Sequence, residues 1–182
     1  MELDILSPEF SQAAGFEPDR SLRRGARRFA LVRVSAGIEA PAERVFDAWL
    51  DPAIAGRWLF ATASRPMTRV AIDARVRGRF RLADGNDGDR VEHRGVYVEI
   101  VRPWRLAFML SAAHDLPATR VSVDIAQGDA PGTVELTVTQ GDVPGEYATR
   151  VESRWTGMLY GLGLMLNSHS GGAVWRGRRN AR

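Results

Sequence analysis

The fold of this chain is decided by residues 147–167, YATRVESRWTGMLYGLGLMLN, in which apolar residues recur every three or four positions. That spacing places them on one face of an α-helix, and a helix with one apolar face must bury it against another element. The face consists of Tyr147, Val151, Trp155, Met158, Leu159, Leu162 and Leu166. We expect this helix to pack across a curved sheet, an arrangement that tends to enclose a pocket.

Three glycines, at positions 157, 161 and 163, lie inside this predicted helix. Each one weakens a helix interior by up to about 1 kcal/mol relative to Ala. Their presence indicates either a close approach of the helix backbone to the sheet or space left for another group.

Before the helix, the period of the apolar residues is two, which is typical of strands. Short turns separate the strands, so the sequence predicts an antiparallel meander. The predicted strands cover residues 29–40, 67–74, 78–82, 91–101, 106–112, 119–126 and 133–139, and residues 141–145 form a predicted linker to the helix.

Two short helices are predicted between the first and second strands. Pro41 stands at the expected first helical position, and Val45, Phe46 and Trp49 follow at helical spacing. Asp51-Pro52 ends this helix and starts a second one, predicted over residues 53–59.

Length and composition indicate one domain with a real core, because 182 residues with 45% hydrophobic content are ordinary for a globular protein. We divide the chain into a partly disordered extension (1–27), the folded domain (28–167) and an Arg-rich tail (168–182). The absence of a signal-like or membrane-spanning apolar stretch predicts a cytoplasmic protein without a membrane partner.

The distribution of the basic residues along the chain argues against binding of nucleic acid as the function. All 25 are Arg, the net charge is only +3, and most of them alternate with Asp and Glu along the strands instead of clustering on one face. Only the two ends of the chain, residues 20–28 and 176–182, are Arg-rich. We interpret both as solvated tails.

The chain lacks the common enzyme signatures and contains no Cys. It has no Gly-x-Ser-x-Gly elbow, no phosphate-binding Gly loop and no zinc-binding His pair, so we predict neither a cofactor nor a metal. His93, His114 and His169 are far apart, and His93 and His114 have two interpretations each, an ordinary histidine or a base beside a cavity. The acidic run Asp84–Asp89 is interpreted as a hairpin turn rather than a Ca²⁺ loop.

Several segments, in this order, carry a family resemblance. They are IEAPAERVFDAW (38–49), Asp51-Pro52 with Trp58, VRGRFR (76–81), GVYVEI (95–100) with LAF (106–108), GTVELT (132–137), and Trp155 with the leucine stripe. The chain resembles the helix-grip superfamily of START, Bet v 1 and polyketide-cyclase-like proteins (SRPBCC). Within that superfamily it is most similar to bacterial proteins of the activator of Hsp90 ATPase homologue-like family.

The resemblance implies an α+β fold, in which an antiparallel sheet of about seven strands grips the C-terminal helix and two short helices close one end. It also implies an apolar cavity between helix and sheet. The chain departs from the family pattern at Arg77, where the family usually has Gly. Arg77 alternates with Arg75, Arg79 and Arg81, so we expect it to face solvent, and Val76 and Phe80 to face the core.

Aromatic and aliphatic side chains are the candidate cavity walls, and for each of them plain core packing is the alternative. The candidates are Trp49, Trp58, Phe80, Tyr97, Phe108, Trp155, Met158, Leu159 and Leu162. Polar groups that would orient a ligand are Arg77, His93, Glu99 and Tyr147.

Three functions stay open from the sequence. The first is binding of a small lipophilic molecule without catalysis, and the second is a cyclase- or aromatase-like enzyme acting on a lipophilic substrate. The third is a chaperone- or stress-related accessory protein acting through protein–protein contacts. A homodimer formed through an edge strand or an exposed Trp is also open.

Overall fold

The structure, a computed structural model, describes residues 29–62, 65–85, 91–111 and 118–167. Seven strands form one antiparallel sheet in the order β1-β7-β6-β5-β4-β3-β2, so the predicted meander and α+β class are confirmed. The elements are β1 (Phe29–Ile38), α1 (Ala42–Leu50), α2 (Pro52–Ala55), β2 (Met67–Ile72), β3 (Arg79–Asp84), β4 (Val91–Val101), β5 (Arg105–Ser111), β6 (Thr119–Gln127), β7 (Val134–Pro144) and α3 (Ala148–Asn167).

The long helix α3 lies against β1 and β7. Its apolar stripe is buried as predicted from Trp155 to Leu166, whereas Tyr147 precedes the helix in a 3-10 turn and stays 40% exposed. None of the helices that the structure describes is long and apolar enough to cross a membrane.

One end of the space between sheet and helix is filled, and we call it the closed end. It contains Trp49 from α1, Trp58 from the turn after α2, and Phe108 from β5. The indole rings of Trp49 and Trp58 meet edge to face with centroids 4.7 Å apart, and Phe108 lies 6.4 Å from Trp49. Trp58 Nε1 donates to the carbonyl of Ala48 at 3.0 Å, which ties the segment after α2 to α1.

Two predicted boundaries are wrong. The predicted linker 141–145 is largely strand, because β7 runs on to Pro144 and pairs there with Phe29 of β1. The second helix covers only Pro52–Ala55. After Gly56, the amides of Arg57 and Trp58 bond to carbonyls three residues back, which is the tighter geometry of a turn.

The strand predicted over 78–82 is β3, which begins at Arg79, and a tight loop precedes it. Gly78 is required in this loop, since a Cβ there would lie 2.1 Å from the carbonyl oxygen of Asp73. Arg77 has φ +68° and an exposed side chain, so it faces solvent as expected. Gly adopts a positive φ at no steric cost, whereas a residue with a Cβ, such as Arg77, is strained there. Val76 is 49% exposed, which contradicts its predicted place in the core.

The three glycines of α3 do not mark a close contact with the sheet. A Cβ added at position 157, 161 or 163 would have no described atom within 4 Å outside its own helix turn. Of the two explanations offered by the sequence, close backbone approach is therefore wrong for the described part of the chain.

Candidate functional site

The other end of the space between sheet and helix is open, and it holds a pocket of about 290 Å³. We call this region the open end. Its wall combines the ends of β4 to β7, the first two turns of α3 and the segment after α2. The lining residues are Phe60, Val91, His93, Leu110, Thr119, Gln140, Val143, Pro144, Tyr147, Arg150, Val151, Arg154 and Trp155.

Most of these residues are buried, which separates this pocket from two other depressions on the sheet. One depression, of about 490 Å³, lies over β1, β7 and β6 and has no buried residue in its wall. The other, of about 530 Å³, lies over β2 to β5 and is lined mainly by exposed or half-buried residues. The open end therefore offers the most enclosed site of the three.

A short chain of hydrogen bonds fixes the polar part of the inner wall. Trp155 Nε1 donates to Gln140 Oε1 at 2.7 Å, and Gln140 Nε2 donates to Thr119 Oγ1 at 2.8 Å. All three side chains are buried. Because each link satisfies a buried donor or acceptor, the amide of Gln140 is held in one orientation and joins α3 to the sheet.

His93 lies in the wall on the inner face of β4 and is 5% exposed. Phe60 stacks on its ring with centroids 4.0 Å apart and planes 15° apart. The Nδ1 atom of His93 is buried without a hydrogen-bond partner. Burial, reinforced by the charge of Arg154 and opposed by Asp84, lowers the pKa of His93 to about 4, so the ring is neutral at pH 7.

Phe60 reaches this position through a strained backbone. Its φ is +61°, a conformation that is rare for a bulky side chain. Its amide donates to Sδ of Met158 in α3 at 3.1 Å. Backbone strain held in place by such contacts is frequent at binding sites, and here it sets an aromatic ring against His93.

The rim of the pocket carries Arg150 and Arg154, four residues apart and therefore neighbours on the surface of α3. Burial lowers the pKa of Arg154, and the charge of Arg150 lowers it further. Neither guanidinium forms an ion pair with another described residue. The pocket thus has a positively charged rim.

The structure brings three of the predicted site residues to the pocket, namely Trp155, His93 and Tyr147. The other cavity candidates do not line it, because they pack against one another in the core, most of them at or near the closed end. They are Trp49, Trp58, Phe80, Tyr97, Phe108, Met158, Leu159 and Leu162. Tyr97, for example, lies 5.4 Å from Phe80 between ring centroids, and burial raises the pKa of its phenol.

Two of the polar residues that were predicted to orient a ligand, Glu99 and Arg77, lie outside the pocket. Glu99 faces outward and pairs with Arg105 at 3.0 Å and with Arg120 at 3.6 Å. A β-bulge between Tyr97 and Glu99 breaks the simple alternation that put both on one face. Arg77 is in the exposed loop before β3 and does not line the pocket.

Among the residues of the pocket wall that were not predicted from the sequence are Phe60, Thr119, Gln140, Arg150 and Arg154. A signal for the two arginines was present, because positions 150 and 154 flank the apolar stripe 147, 151, 155 on the same side of the helix. Gln140 and Thr119 could not be found this way, since their meeting depends on the pairing of β6 with β7. His114, His169 and most of the turn 84–89 lie outside the described residues.

No group of three or more His, Asp or Glu side chains that would hold a metal ion comes together within the described ranges. The pocket wall itself consists of apolar, amide, hydroxyl, imidazole and guanidinium groups. This donor set suits an organic ligand with an apolar body.

Comparison with known sequences identifies one family. Residues 39–167 match the sequence model of the family described as "Activator of Hsp90 ATPase homolog 1-like protein". No curated protein matches the chain significantly.

Solved structures share the fold. A crystal structure of a Chromobacterium violaceum protein is 22% identical, with a TM-score of 0.66 over 75% of this chain and 96% of that one. The solution structure of an AHSA1-like protein from Aeromonas hydrophila is 25% identical, with a TM-score of 0.66 over 78% and 94%. An Hsp90 activator from Plasmodium falciparum is 16% identical, with a TM-score of 0.59 over 81% and 99%.

Proposed function

The chain belongs to the activator of Hsp90 ATPase homologue 1-like family, and on that premise we propose that it binds a small hydrophobic molecule in the pocket at the open end. The observation that supports this is an enclosed space of about 290 Å³, near the lower limit of ordinary ligand sites, with mostly apolar walls and a few converging polar groups.

Binding is favoured over catalysis by the protonation state of His93, the one histidine among the described lining residues. A general base is most effective when its pKa is near the working pH. The pKa of His93 is lowered to about 4, so its neutral ring is a weak base at pH 7. The enzyme alternative would therefore need a different proton acceptor.

The family name supports a second candidate, an accessory role towards Hsp90. The structural support is the outer side of α3, where Leu164 is 51% and Tyr160 44% exposed. Adding the protein to a purified bacterial Hsp90 and measuring its ATPase rate tests this role. The binding proposal predicts an unchanged rate, and a stimulated rate would favour the accessory role.

A neutral fluorescent probe tests the binding proposal. Titration with N-phenyl-1-naphthylamine should give a saturable rise in fluorescence. The substitution Val151→Phe, which fills the pocket from α3, should weaken it at least tenfold. Leu164→Phe adds the same ring to the same helix on its exposed side and should leave binding unchanged. Absence of saturable binding, or equal binding by Val151→Phe, would overturn the proposal.

Native mass spectrometry of gently purified protein complements the probe. An extra mass that is released on denaturation would identify the class of ligand. The same mass should be missing from Val151→Phe and present in Leu164→Phe.

A further inference from the structure

Among the described residues, the charged groups that line the pocket are cationic. Arg150 and Arg154 lie on one side of α3, at the rim of the pocket. No carboxylate is among the described residues that line the pocket. The acidic group that faces His93, Asp84, is already paired with Arg65, with Nε and Oδ2 3.1 Å apart.

Arg150 and Arg154 are among the described arginines that have no carboxylate partner. Seven described arginines have a carboxylate partner: Arg65, Arg75, Arg81, Arg94, Arg102, Arg105 and Arg120. Arg150 and Arg154 instead face each other one helical turn apart, where like charges destabilise a helix. An anion between the two guanidinium groups would remove this repulsion and satisfy donors that suit oxyanion geometry.

The inner wall gives a second, independent sign of a missing polar group. His93 is 5% exposed, lines the pocket, and has a buried Nδ1 without a hydrogen-bond partner. Buried polar atoms are nearly always paired in folded proteins, so an unpaired one in a pocket wall needs an explanation. A polar atom of a ligand, reached by a small movement of the ring, would provide that partner.

The depth of the pocket suits an apolar body rather than a free inorganic anion. Below the charged rim, the wall of the pocket is aromatic and branched aliphatic, and its residues are Phe60, Leu110, Val143, Val151 and Trp155. An ion such as phosphate alone would leave this surface facing water.

Resting on the proposed function, we propose that the ligand is an anionic amphiphile. Its oxyanion head, a carboxylate or a phosphate monoester, lies at Arg150 and Arg154, and its apolar body of one or two rings, or an equivalent chain, lies among Phe60, Leu110 and Trp155. The site is thus selective for charge as well as for apolar surface.

Calorimetric titration with three matched probes tests this inference: 1-naphthylacetate, 1-naphthyl phosphate and the neutral 1-naphthylacetamide. We expect at least one anion to bind about tenfold or more tightly than the amide, the size of one charge-assisted hydrogen bond. The relative affinity of the two anions distinguishes a carboxylate from a phosphate head.

Three variants locate the selectivity. Arg150→Gln and Arg154→Gln should each weaken binding of the preferred anion about tenfold and leave binding of the amide unchanged. Arg33→Gln removes the same charge from an exposed residue of β1 outside the pocket and should change neither.

The outcomes separate the two proposals. Equal binding of anion and amide, or an anion preference that survives both rim substitutions, would overturn the inference and leave the proposed function standing. Failure of all three probes and of N-phenyl-1-naphthylamine would overturn both.

Discussion

The two ends of the space between sheet and helix are built from the same sheet and the same helix, yet they differ in what fills them. At the closed end, the space is filled by buried aromatic rings, namely Trp49 of α1, Trp58 after α2 and Phe108 of β5. At the open end, the sheet and α3 enclose a pocket of about 290 Å³ with a charged rim.

Trp155 is the boundary between the two ends. Its ring lies 6.1 Å from Trp49 on the closed side and 5.9 Å from Phe60 at the pocket, and its Nε1 bonds to Gln140. The aromatic residues that are most visible in the sequence therefore stabilise the fold. The proposed binding depends on less visible residues that reach the pocket from separate strands and from α3.

The largest expected loss of stability comes from removing a buried aromatic ring at the closed end. Trp49 is 1% exposed, so Trp49→Ala should lower the free energy of unfolding by about 3–5 kcal/mol through lost burial and a new cavity. Urea unfolding measures it, with Trp49→Phe as a milder variant in case the first does not fold.

The matched control for this change is Trp104→Ala, since Trp104 is 47% exposed. Its loss should stay below about 1 kcal/mol. Equal losses at the two positions would contradict the assignment of Trp49 to a packed core.

The next effect concerns the hydrogen bonds that join the open end to α3. Gln140→Leu leaves Trp155 Nε1 without an acceptor and Thr119 Oγ1 without a donor, so it should cost about 2 kcal/mol. Gln127→Leu makes the same change at an exposed end of β6 and should alter stability by less than about 0.5 kcal/mol. Thermal or urea unfolding of both variants checks the difference.

The sequence predicted the elements of the fold, including the buried residues of the closed end, better than the residues of the open end. Periodicity identified α3 and the strands, because burial of one face imposes a period on every element. It could not place Glu99, since a single-residue bulge after Tyr97 reverses the faces. Nor could it bring Thr119, Gln140 and Phe60 together, because strand pairing and a positive φ decide their positions.

The stability of the protein should depend on pH through His93 at the open end. The pKa of His93 is lowered to about 4 in the folded state by burial and by Arg154, against Asp84. As the pH falls below about 6.5, the unfolded chain takes up a proton that the folded one does not, so stability is lost between about pH 6.5 and pH 4.

Between pH 7 and pH 5 this loss through His93 amounts to about 2 kcal/mol. Urea unfolding at both pH values should therefore show a smaller acid-induced loss for His93→Leu than for the natural chain, by about that amount. Identical pH dependence of the two proteins would show that His93 is protonated as easily in the folded state as in the unfolded state.

The smallest expected effect lies outside both ends. Arg77 has φ +68° and an exposed side chain, so Arg77→Gly should relax its backbone and raise the free energy of unfolding by about 0.5–1 kcal/mol. Probe binding should not change, because Arg77 does not line the pocket. A destabilised Arg77→Gly protein would contradict the strain assigned to this loop.

Ligand binding at the open end can be observed directly in a two-dimensional ¹H–¹⁵N NMR titration that follows the tryptophan indole N–H signals. With 1-naphthylacetate, the Trp155 signal should shift in a saturable way, while those of Trp58, bonded to Ala48, and of the exposed Trp104 stay in place. A shift at Trp104 or Trp58 with Trp155 unchanged would place binding elsewhere and contradict the account.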